Sequence, residues 1–117
     1  MKIEKEDNVI LQKIVERIID ASTDTLISLG LKYSAEEGWT FPSSMTKDNI
    51  KKAEDAISTN KIQYNLLNKL RANEVLSEEE NHHLAAAVGT MITMCKIEIS
   101  KQERAVEEFT KLLNRIQ

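Results

Sequence analysis

The chain has 117 residues, 41% hydrophobic and 30% charged, with a net charge of −3. That length suits one domain, that composition excludes wholesale disorder, and an acidic chain without a basic stripe argues against nucleic-acid binding. Three glycines and one proline offer too little turn chemistry for a sandwich or barrel. Residues 1–117 therefore read as a single helical domain.

The first helix is expected over about residues 5–29. Its apolar stripe is Leu11, Ile14, Val15, Ile18, Leu26 and Leu29, and spacings of three and four residues place these side chains on one helix face. The stripe thins at Ala21-Ser22-Thr23-Asp24-Thr25. A kink or break is expected there, because Ser, Thr and Asp compete for backbone hydrogen bonds. Gly30 followed by Leu31 has the form of a helix stop.

Residues 31–45 read as an irregular loop. Within it Ser34-Ala35-Glu36-Glu37 has capping-box spacing, enough for a single turn closed by Gly38. Trp39 and Phe41, beside Pro42, have two readings: a cap on the open end of a bundle, or an anchor for a partner. Because Trp is enriched among interface hot spots, Trp39 and Phe41 are the candidate partner-binding residues.

A second helix is expected over about residues 47–73, capped by Thr46 or Ser44, with Asp48 in its first turn and Asn73 as its stop. Ile50, Ala53, Ile57, Asn60, Tyr64 and Leu67 follow the alternating spacing of a heptad seam, with Asn60 as a polar residue inside it.

Ser77-Glu78-Glu79-Glu80 opens a third helix, expected to run unbroken over residues 78–116. Its stripe is Leu84, Val88, Met91, Cys95, Ile99, Gln102, Val106, Phe109, Leu113 and Ile116. At 1.5 Å per residue such a helix is roughly 60 Å long, against about 40 Å for each of the others. Its apolar excess needs the first helix, a fold-back or a second subunit to cover it. Asn60, Gly89, Gln102, Val106, Phe109, Leu113 and Ile116 are accordingly the expected homo-oligomer interface. Gly89, beside Ala85, Ala86 and Ala87, reads as a close approach of another helix, with a ligand lying against bare backbone as the alternative. The architecture is thus all-α: an elongated three-helix bundle or helical hairpin with coiled-coil character and a long C-terminal helix.

The reactive side chains point away from catalysis. His82 and His83 fall in Glu-x-x-His spacing, but a di-iron site needs that motif on two helices, and adjacent histidines diverge by about 100°. They read as a solvated first turn. Cys95 lies on the apolar stripe over 15 Å along the axis from either histidine, estimated at 1.5 Å per residue, and reads as a small core residue. No phosphate loop, catalytic constellation or zinc spacing occurs.

A lone cysteine, an N-terminus without the apolar core of a signal peptide, and a longest run free of Asp, Glu, Lys, Arg and His of 12 residues from Leu84 to Cys95 point to the cytoplasm, with no membrane contact. The abundance of Ile, Lys and Asn fits an AT-rich genome, a low-GC bacterium or its phage. The function these features favour is non-catalytic protein binding: a small helical inhibitor or antagonist of the antitoxin, immunity or phage anti-defence type, without metal or cofactor, binding itself and another protein. The alternative is an oligomeric small-ligand binder, a sponge with pockets near Gly89, Asn60 or Lys101.

Overall fold

The structure, a computed structural model, describes residues 3–98 and 103–117. Four helices and a small hairpin follow in the order α1 (Lys5–Ser28), β1 (Lys32–Ser34), β2 (Gly38–Thr40), α2 (Lys47–Arg71), α3 (Glu78–Glu98) and α4 (Glu103–Ile116). No described helix is long and apolar enough to cross a membrane.

α1 passes through the Ser/Thr-rich stretch without a break. Its hydroxyls turn back onto their own helix: Ser22 Oγ donates to the Ile19 carbonyl at 2.8 Å and Thr25 Oγ1 to that of Ala21 at 3.0 Å. Competition for the backbone is thus resolved inside the helix. The stop at Gly30 forms as expected. Gly30 takes φ +92°, and Leu31 N–H reaches back to the Leu26 carbonyl at 3.1 Å, folding Leu31 onto Leu26.

The segment after α1 holds two strands rather than only an irregular loop. β1 and β2 pair antiparallel, with Tyr33 opposite Trp39, and Ser34 Oγ accepts the Glu37 N–H across the turn. The turn expected at residues 34–37 is real; the three-residue strands beside it are too short to show a period in the sequence.

Thr46 caps α2, accepting the Asn49 N–H at 3.2 Å, and Asn73 closes it at φ 55°. The expected heptad seam does not hold along α2. Ala53, Asn60 and Leu67 are buried, but Tyr64 turns outward and Gln63 and Leu66 take the inner face.

The largest correction concerns the C-terminal third. A single helix over residues 78–116 would hold Asn81 and Ile116 about 50 Å apart at 1.5 Å per residue. Instead Asn81 Nδ2 donates to the Ile116 carbonyl at 2.7 Å. α4 therefore runs back antiparallel along α3 and delivers Leu112 and Ile116 to the core. The fold-back also lays Val106, Phe109 and Leu113 partly buried against that core.

The main core joins Leu11, Ile14, Val15, Ile18 and Ile19 of α1 to Leu66, Leu67 and Leu70 of α2, with Leu84, Val88, Ile92 and the α4 pair closing it. A second, smaller cluster of Leu26, Leu31 and Ala53 lies toward the hairpin, where Trp39, Met45 and Ile57 pack on it. The α1–α2 pair thus extends beyond the cover of α3 and α4.

Candidate functional site

Between the two apolar clusters α1 and α2 meet through polar side chains. Asn60, 6% exposed, uses its amide group to donate to Ser22 Oγ at 2.9 Å and Thr23 Oγ1 at 3.1 Å. These bonds offset the cost of burying the amide, which an unpaired group would bear in full. Asn60 is thus engaged within its own chain.

Beyond this layer the hairpin arches over the α1–α2 pair and leaves an open groove of about 1300 Å³. Thr23 and Ile27 of α1, Leu31, the hairpin residues Lys32, Tyr33, Glu37, Gly38 and Trp39, and Ile57, Asn60, Lys61, Tyr64 and Asn68 of α2 line it. Tyr33 and Trp39 face each other as a cross-strand pair with ring centroids 5.2 Å apart. Trp39 is half-buried on the second cluster, whereas Ile27, Tyr33 and Tyr64 are 60%, 65% and 48% exposed. Large side chains held in water by a folded scaffold are the unusual feature of this surface.

Of the two expected anchors, Trp39 therefore borders the groove, in contact with the second cluster. Phe41, 42% exposed, is not among its lining residues. Sequence reasoning missed Ile27, Tyr33, Lys61 and Tyr64. Tyr64 was hidden by its fit to the heptad spacing. Tyr33 had one usable signal, the turn at residues 34–37 with Trp39 placed symmetrically across it.

The expected oligomer-interface residues scatter. Asn60 lies in the polar layer; Val106, Phe109 and Leu113 are half-buried against the main core, and Ile116 is buried in it. Gln102 and Lys101 lie outside the described residues. Among the described residues a Cβ added at Gly89 would meet nothing within 4 Å beyond its own stretch of helix. The helix-approach reading of Gly89 is therefore not met among the described residues.

Cys95 is buried in the main core. The His82 and His83 rings stand 6.4 Å apart, with His83 Nε2 3.8 Å from Glu79 Oε1 one turn earlier. Among the described residues no three His, Cys, Asp or Glu side chains group to hold a metal ion. His83 lines a smaller concavity between α2 and α3, about 440 Å³, whose charged centre is Glu80. Glu80 receives hydrogen bonds from Lys69 Nζ, Ser77 N–H and Asn65 Nδ2, each at 2.8 Å. The Lys69 bond first, then the Ser77 and Asn65 bonds, hold its carboxyl down at about 2. With every donor supplied by the chain itself, Glu80 is a structural tie between α2 and α3.

No family model, curated protein or solved structure matches the chain. The groove is thus read from its own residues alone.

Proposed function

We propose that this is a non-catalytic binding protein that takes a segment of another protein into the groove beneath the hairpin. The observation that carries the reading is the aromatic lining: Tyr33, Trp39 and Tyr64 surround an open groove that the fold does not fill. Typical small-molecule sites are enclosed clefts of about 300–1,000 Å³; this groove is larger and open, which favours a polypeptide occupant over the small-ligand alternative. Interface hot spots are likewise rich in Trp and Tyr. A small, acidic, helical protein built this way suits an inhibitor or antagonist working in the cytoplasm, where its single cysteine stays reduced.

Tyr64 offers the cleanest test, because its side chain lies on the outside of α2 and supports no core contact. Tyr64→Ala is expected to weaken the complex by about tenfold or more with an unchanged far-UV circular dichroism spectrum. Native mass spectrometry of wild-type and variant protein purified from its own host would show this as loss of the protein-sized added mass. An equally occupied complex in the variant would remove the groove from consideration.

A further inference from the structure

Resting on the groove reading above, we infer that the segment the groove receives is acidic and carries at least one large apolar side chain. The groove differs in charge from two other concavities on the described surface. The one between α2 and α3 holds Lys69 against Glu79 and Glu80, and the one beside the N-terminus holds Lys5 against Glu4 and Glu74, so both carry an acidic excess. The aromatic groove instead has a cationic excess, Lys32 and Lys61 against Glu37, in a chain whose net charge is −3.

The two lysines reach the groove from different elements, Lys32 from β1 and Lys61 from α2. Among the described residues neither takes part in an ion pair, while Lys69, Arg71, Arg104, Lys111 and Arg115 do. The lining fits an apolar side chain set down among Ile27, Ile57, Tyr33, Tyr64 and Trp39 while neighbouring carboxylates meet the lysines. Complementary charge of this kind selects the partner and its register more than it adds affinity.

A random peptide library displayed on phage and panned on the full-length protein tests the charge directly. Selected peptides are expected to share net negative charge and a large apolar residue. Synthetic copies should bind the double variant K32E/K61E about tenfold or more weakly than wild type, and should weaken further in high salt. Tyr64→Ala should also weaken them. Neutral or basic peptides that bind K32E/K61E as well as wild type overturn the charge inference but leave the groove standing, provided Tyr64→Ala still weakens them. Peptides indifferent to both variants, or a library without enrichment, overturn the groove reading itself. Two further outcomes overturn the proposal by naming another occupant: a labelled oligothymidylate that outcompetes the selected peptides, or concentration-dependent self-association that K32E/K61E abolishes.

Discussion

Gln63 lies on the inner side of α2, 5% exposed, and its Oε1 has no hydrogen-bond partner among the described residues. One helical turn away Asn60, at similar burial, uses its amide group on Ser22 and Thr23. The pair shows how the same chemistry stabilises or costs according to what faces it across the helix pair. A buried carbonyl without a donor costs about 1–3 kcal/mol, and Leu occupies much the same space as Gln. Gln63→Leu is therefore expected to raise the melting temperature, with a gain of about 1–3 kcal/mol in chemical denaturation. A loss of stability would mean that Gln63 has a partner the structure does not contain. In the sequence, Asn60 was visible as a polar residue on an apolar seam. Its partners were not, because Ser22 and Thr23 lie almost forty positions away.

At the scale of elements, what was legible was local. Ser77 and Glu80 form the reciprocal box their spacing promised: Glu80 N–H donates to Ser77 Oγ at 3.1 Å and Ser77 N–H to Glu80 Oε1 at 2.8 Å. Thr46, Gly30 and Asn73 likewise end or begin helices where they stand, since a cap needs only residues within one turn of it. Ser77→Ala should cost about 1 kcal/mol, a typical N-cap loss, read as a lower denaturation midpoint with an unchanged slope. The box also ties α3 to α2 through Lys69 and Asn65, so protection of amides at the start of α3 should fall in hydrogen exchange. The hairpin and the end of α3 escaped sequence reading for opposite reasons. Strands of three residues have no measurable period, and residues 96–104 contain neither Gly nor Pro to mark where α3 gives way to α4.

Across the whole molecule the chain is closed by Asp7 and Arg115, 108 positions apart, in a two-pronged ion pair at 2.9 Å on both prongs. It joins the first turn of α1 to the last turn of α4, next to the point where Asn81 holds the Ile116 carbonyl. The hydrogen bond from Arg115, and secondarily its charge, hold the Asp7 carboxyl below its ordinary 3.8 against an opposing effect of burial. A carboxyl lowered on folding contributes stability that is present above its ordinary range and is lost as pH falls through the folded value. Asp7→Asn should thus cost about 1 kcal/mol near neutral pH, a value suited to a pair with one half-exposed partner. The difference from wild type should shrink in urea denaturation at about pH 3, below the ordinary Asp value. A difference that stays constant with pH would assign the effect to packing rather than charge.

Composition, apolar spacing and caps determined the helical class, the ends of α1 and α2 and the start of α3, because each of these depends on residues within a few positions of one another. The tertiary structure decided the rest. It turned α4 back along α3, which buries Leu112 and Ile116 in the core shared with α1, α2 and α3. It also assembled the groove, drawing Ile27, Lys32, Tyr33, Trp39, Lys61 and Tyr64 from four elements into one surface. No spacing rule joins those residues. They meet because a hairpin too short to announce itself folds across a helix pair that the rest of the core leaves uncovered.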